Sequence, residues 1–309
     1  MAGTHNLYSV HLNDTSPVVL PGIVTQNVRT GTEYLAETTS GAVYPQHVAI
    51  TGQKPMADYS TYCLAAHLAE IGLTGLSIGD LATGLELFAY LNLDGGGRAT
   101  GSAHRKYSIK KGLVVPRRIT CEHRGDAQLF YEVFPVWNGS VDPIVLGDAS
   151  AVPTFEDDDQ RFTIGKTTIG GVLLGDVRSW ELDFGITVET NGGDSDIFDT
   201  MVSIVECKPV LTLKGVDVEW LKSTNIPLAG KEATQANTIT YLRKRLQSST
   251  GFVADGTAQH VKFAMAGLAW VEDVFSMGGK GAAECSVKVA CKFDGTNAPV
   301  VITPTSAIT

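Results

Sequence analysis

Apolar and polar residues alternate with a period of two along several stretches of the chain, and that spacing predicts strands with one buried face. Between Ser179 and Glu189, Trp180, Leu182, Phe184, Ile186 and Val188 share one face, with Ser179, Glu181, Asp183, Thr187 and Glu189 on the other. Further on, Ala283, Cys285, Val287, Val289 and Cys291 alternate with Glu284, Ser286, Lys288 and Lys292. One stretch has helical spacing instead. From Asp58 to Ile71, Asp58 or Ser60 supplies a cap, Tyr62, Ala65, Ala66, Leu68 and Ala69 give an apolar side, and Gly72 suits the end. A shorter helix is expected near Asp217 to Lys222, with Trp220 and Leu221 to pack. Many strands with one helix per unit predict an α+β fold that is mainly β.

The pattern also repeats. Gly22 to Thr30 aligns with Gly171 to Ser179, Val48 to Gly52 with Leu211 to Gly215, Gly101 to Leu113 with Gly256 to Leu268, and Ala127 to Val133 with Ala283 to Val289. The matches keep their order while their spacing drifts, as loop insertions between two diverged copies would make it. The copies are placed at about 20 to 140 and 165 to 295, which suits a chain of 309 residues read as two domains of roughly 150 each.

Composition narrows the function. The chain carries 24 basic and 33 acidic residues, a net charge of -9, which opposes the counterion release that holds nucleic acid. Charged residues make up only 18% of the chain while glycine reaches 33, so the surface is short of charge, as in a subunit covered by neighbours. The five cysteines form no Cys-x-x-Cys pair and read as small reduced core residues. The first twenty residues carry no basic, apolar leader pattern, and no window approaches the roughly 20 apolar residues of a membrane-spanning helix. The expectation is a chain that folds where it is made, without membrane insertion.

Catalytic motifs are few. Ile164-Gly165-Lys166-Thr167-Thr168 resembles the end of a phosphate-binding loop, but the position that needs the first glycine is Gln160, so the run reads as a plain strand. The seven histidines lack metal-ligand spacing, and His67 is expected on its helix as a residue at the boundary between core and surface. No Gly-x-Ser-x-Gly elbow occurs. No catalytic, cofactor or metal site is therefore expected. The dense acidic cluster Glu156-Asp157-Asp158-Asp159 sits between the copies and reads as a solvated linker, a calcium site lacking loop spacing, or a surface that repels or guides a polyanion. Its basic counterpart, Arg105-Lys106 with Lys110-Lys111, reads as a solvated hairpin or a contact to an acidic neighbour.

Tyr44 to Gly52, the helix after it, Gly101 to Ile109 and Lys111 to Pro116 together resemble the tail tube (major tail) proteins of long-tailed bacteriophages in texture and element order. The resemblance implies two tandem β-sandwich or barrel units, each with a flanking helix: residues 1–150 with an N-terminal arm and 151–309 with a C-terminal tail. It also implies a virion structural protein rather than an enzyme, whose inner strands join those of its neighbours in rings stacked into a tube for genome DNA. Such rings typically hold six units, so three two-unit chains would close one. Its partners would be itself and the tape-measure and tail terminator proteins, with DNA passing an acidic lumen without tight binding. Asp94, Arg98, His104, Arg105, Lys106, Lys110, Lys111, His260 and Lys262 are the expected inter-subunit loop residues. Glu156, Asp157, Asp158 and Asp159 are the expected acidic surface. Two other readings stay open: another virion component such as a tail terminator or capsid decoration protein, and a carbohydrate-binding module using Trp137, Trp180, Trp220 and Trp270. A hydrolase of unrecognised type ranks below these.

Overall fold

The computed structural model describes residues 4–13, 18–80, 84–93, 99–151, 160–193, 196–216, 220, 225–247, 249–276 and 284–309. Strands hold 59% of the chain and make the fold mainly β, with one α-helix among the described residues. The first half contains β1 (Thr4–Asn13), β2 (Val18–Leu20), β3 (Ile23–Arg29), β4 (Thr32–Glu37), β5 (His47–Gln53), β6 (Met56–Thr61), α1 (Leu64–Ile71), β7 (Leu76–Ser77), β8 (Gly84–Asn92), β9 (His104–Ile109), β10 (Gly112–Glu122), β11 (Gln128–Pro135) and β12 (Val145–Ser150). The second contains β13 (Phe162–Ile169), β14 (Val172–Leu174), β15 (Val177–Asp183), β16 (Ile186–Asn191), β17 (Met201–Cys207), β18 (Val210–Gly215), β19 (Lys231–Ala233), β20 (Ile239–Lys244), β21 (His260–Met265), β22 (Gly267–Ser276), β23 (Glu284–Cys291) and β24 (Val300–Ser306).

One ten-stranded sheet crosses the molecule in the order β19-β22-β23-β18-β15-β10-β11-β6-β3, with β7 also on β10. Two five-stranded sheets, β12-β9-β8-β1-β2 and β14-β13-β20-β21-β24, and the two hairpins β4–β5 and β16–β17 complete it. The alternation seen in the sequence buries one face of the long sheet: Leu129, Tyr131 and Val133 on β11, Trp180 and Leu182 on β15, and Val287 and Val289 on β23. These join side chains of the five-stranded sheets in one contiguous core. Trp180 ties the two layers, its indole N–H donating to Thr240 Oγ1 at 2.9 Å while its ring lies 5.2 Å from that of Phe263.

The pairings of the first half recur in the second. On β3 and β6, Ile23 faces Thr61, a bulge follows, and the ladder runs from Thr25 opposite Ser60 to Arg29 opposite Met56. On β15 and β18, Val177 faces Gly215, a bulge follows, and the ladder runs from Ser179 opposite Lys214 to Asp183 opposite Val210, every residue 154 places later (23 to 177, 61 to 215). The hairpins β4–β5 and β16–β17 agree at the same shift, bulge included. On β10 and β11, Pro116 faces Tyr131 and, past a bulge, Arg118 faces Phe130; Val271 and Val287, then Asp273 and Ser286, repeat this on β22 and β23. Gly31 and Gly185 occupy matching turns, each at φ 56°, where a Cβ would overlap the carbonyl oxygen of Lys54 or Lys208.

Several expectations change. Ser179 to Glu189 is two strands in two sheets, turned at Phe184 and Gly185, because Gly185 accepts the left-handed φ that a continuous strand excludes. Helix α1 begins at Leu64, with Asp58 and Ser60 on β6; Thr61 Oγ1 accepts the Cys63 N–H at 3.0 Å and helps start it. His67 is buried rather than at a boundary. Ser286, expected to face out, is also buried. The shorter helix near Asp217 lies outside the described residues apart from Trp220, which is buried with its indole N–H on Gly175 O at 3.1 Å. The alignments of Gly22 with Gly171 and of Val48 with Leu211 do not follow the strand correspondence: β3 matches β15, and β5 matches β17. That of Ala127 to Val133 with Ala283 to Val289 follows it through β11 and β23. The five cysteines are thiols, with Cys63, Cys121 and Cys285 buried and Cys207 and Cys291 half-buried, and residues 164–168 lie on β13.

Candidate assembly interface

The middle of the long sheet is a seam between β10 of the first half and β15 of the second. Five residue pairs run from Arg118 opposite Asp183 to Glu122 opposite Ser179. Polar contacts extend it: the Phe184 N–H donates to Arg117 O at 3.0 Å, the His123 N–H to Arg178 O at 2.6 Å, and Ser179 Oγ to Glu122 Oε1 at 2.9 Å. The Arg117 guanidinium donates to both the Glu132 carboxylate and Ile186 O, so one side chain holds its own half and the turn of the other. Arg118 and Asp183 are both exposed and share one face of the sheet, as directly opposed residues do.

A second contact lies beside the seam. Hairpin β16–β17 reaches over the start of β10, where Lys111 Nζ donates to Thr200 O and the Trp137 N–H to Asp199 O, both at 2.8 Å. Leu113 and Trp137 are half-buried there.

Each side of this junction has a counterpart that stands open. Among the described residues, strand β3, which matches β15, pairs with β6 and no other strand. Strand β22, which matches β10, pairs with β23 and, over Gly267–Ala269, with β19; beyond that its outer edge carries no strand among the described residues. Leu268 and Phe293, which stand where Leu113 and Trp137 stand in the first half, are 50% and 62% exposed. Hairpin β4–β5, which matches β16–β17, is exposed along all of β4, and Tyr34, Val48 and Ile50 present apolar surface. The Gln53 N–H donates to Ile197 O at 2.8 Å, so the two hairpins lie side by side.

The loop residues expected from sequence lie elsewhere. His104, Arg105 and Lys106 are on β9, inside a five-stranded sheet, and His260 and Lys262 are on β21, inside the other. These segments are strands rather than reaching loops, because each finds a ladder partner on both sides. His104 and His260 are buried at matching register positions, opposite Ser150 and Ser306, and each Nδ1 accepts a backbone N–H at 3.0 Å, from Leu91 and Lys244. Lys106 pairs with Glu86 at 2.8 Å and Arg105 with Asp148 at 3.1 Å. Lys110 and Lys111 follow β9 at the turn into β10, and Lys111 donates to Thr200 O beside the seam. Asp94 and Arg98, and the acidic run Glu156, Asp157, Asp158 and Asp159, lie outside the described residues.

Sequence reasoning missed Arg29, Arg117, Arg118, Asp183 and Asp273, because only the ladder register tells which charges meet. No group of three metal-ligating side chains occurs among the described residues, and among them no helix is long and apolar enough to cross a membrane. Comparison with known protein families and with curated proteins finds no match.

Proposed function

We propose that this chain is a self-assembling structural protein, two tandem β units that join edge to edge with further copies, in rings of three chains stacked as the tail tube of a long-tailed bacteriophage. The observation that carries the assembly reading is the seam: β10 and β15 meet within the chain, and their counterparts, β22 in matching register as far as Asp273 and β3 along its length, present edges that are unpaired among the described residues. An open edge such as the 7 residues of β3 is an aggregation hazard unless something covers it, and each junction with a further copy covers one edge on either chain, β3 of one and β22 of the other. The contact is head to tail, so it makes a ring if the rotation closes and a filament if it does not.

Tandem units with boundaries at 1–150 and 151–309 agree with β12 ending at Ser150 and β13 starting at Phe162. The tube, its place in the virion and its tape-measure and terminator partners rest on the sequence resemblance. A net charge of -9 suits a conduit that lets DNA slide past without holding it, and no catalytic role is proposed.

Negative-stain electron microscopy of the purified protein over a range of concentrations, with mass photometry of the smallest closed species, tests this. Rings or tubes whose smallest closed mass equals three chains support it. Six chains would keep the function and overturn the stoichiometry. A persistent monomer, also absent from phage particles of infected cells, would refute it.

A further inference from the structure

The edges that would meet between two copies carry charges opposite to those at the seam within one copy. Strand β15 matches β3 so that Asp183 corresponds to Arg29, and β10 matches β22 so that Arg118 corresponds to Asp273. All four side chains are exposed. Within the chain Arg118 faces Asp183. Carried over to a second copy, the same register sets Asp273 of β22 opposite Arg29 of β3: again opposite charges across the ladder, with the polarity reversed. The neighbouring position inverts as well. Arg117 pairs with Glu132 beside the seam, whereas Glu272 pairs with Lys288, at 2.6 Å, beside the open edge.

Resting on the ring reading above, we infer that this inversion selects the partner: β22 of one copy takes β3 of the next through Asp273 and Arg29, and an exchange of either strand with a seam strand of another copy is rejected. Strand β10 already pairs with β15 inside each chain, so a wrong junction forms only by displacing one of them. Strand β3 in the place of β15 sets Arg29 against Arg118. Strand β22 in the place of β10 sets Asp273 against Asp183. Like charges directly opposite across a ladder destabilise it, so each exchanged junction is penalised where each right one is favoured. Arg29 donates to Asp58 at 3.3 Å within its own chain, but that pair is exposed and worth little, so it does not hold Arg29 away from a second copy.

Arg29→Glu, Asp273→Arg and the double variant test this, with the closed species counted by mass photometry at low salt. Far-ultraviolet circular dichroism and thermal melting of the dilute monomer check that each variant folds; these exposed positions should leave both unchanged. Each single variant should need about tenfold more protein to close a ring, from the attraction turned to repulsion at every junction. The double variant, in which the two charges have changed places and attract again, restores the wild-type concentration, and salt narrows the differences. Single variants that assemble like wild type, or a double variant no better than the singles, would overturn the charge pairing while leaving the ring intact. A folded wild type that closes no ring overturns the ring reading and this pairing with it.

Discussion

His67 gives the fold a built-in sensitivity to acid. It sits on α1 with no exposed surface, stacked on Tyr131 with ring centroids 5.7 Å apart and beside Tyr59 at 6.0 Å. Its Nε2 lies 2.9 Å from Pro21 O, and a carbonyl only accepts, so Nε2 carries the proton; Nδ1 is buried and meets no partner. A second proton on Nδ1 would put an unpaired charge in the core, and burial accordingly lowers the pKa from 6.5 to about 4 against a smaller opposing pull from the Pro21 carbonyl. The unfolded chain binds this proton near pH 6.5 and the folded chain only near pH 4. Stability from this group is therefore complete above pH 6.5, falls as the pH drops through that window, and levels off below 4. At about 1.36 kcal/mol per pH unit the total loss is roughly 3 kcal/mol, of which roughly 2 kcal/mol has gone by about pH 5. His11, also lowered to about 4 by burial, adds to the slope in the same window, so the measurement needs a variant that removes one histidine at a time. Urea denaturation of wild type and His67→Phe at about pH 7.5 and about pH 5, at concentrations too low for assembly, provides it. Phenylalanine keeps the stack and loses the bond to Pro21 O, so the variant should be less stable by about 1 kcal/mol at the higher pH and should lose roughly 2 kcal/mol less than wild type on going to the lower. Equal losses in the two proteins would refute the burial of His67 in its neutral form.

Gly31→Ala and Gly185→Ala should each destabilise the monomer by about 1 kcal/mol or more, to similar extents in thermal melts, because both turns hold φ at 56° with a lysine carbonyl where the methyl would go; a neutral effect at either would contradict the matching turns. Trp180→Phe should cost about 1–3 kcal/mol in urea denaturation through the lost bond to Thr240 Oγ1 and the smaller ring, and the same replacement in a Thr240→Val background should cost less, since the acceptor is already gone.

The sequence and the structure agree where a side chain's own surroundings decide the outcome. Trp180, Leu182, Val287 and Val289 alternate with polar neighbours and are buried as expected, because a half-buried strand needs no more than that pattern. They part where the outcome depends on what lies across a ladder. Asp58 and Ser60 have the chemistry of helix caps, yet β3 and β11 claim both faces of that segment's hydrogen bonding, and the strand wins until Thr61. Gly22 and Gly171 look alike in sequence, but the equivalent of β3 begins at Val177, since register and a shared bulge define correspondence more strictly than a recurring glycine does. The candidate interface was hardest to read for the same reason. Period-two alternation is identical in an interior strand and an edge strand, so nothing in Ile23 to Arg29 announces that one side is open. Basic residues drew attention to β9 and the turn after it because four of them cluster there, whereas Arg29 and Asp273 lie 244 positions apart in sequence (29 to 273). Their relation exists only through two ladders, β3 with β6 and β22 with β23, each superposed on its counterpart beside the seam. A feature of that kind is written in the register of the folded chain, and the charge inversion is what makes it testable by substitution.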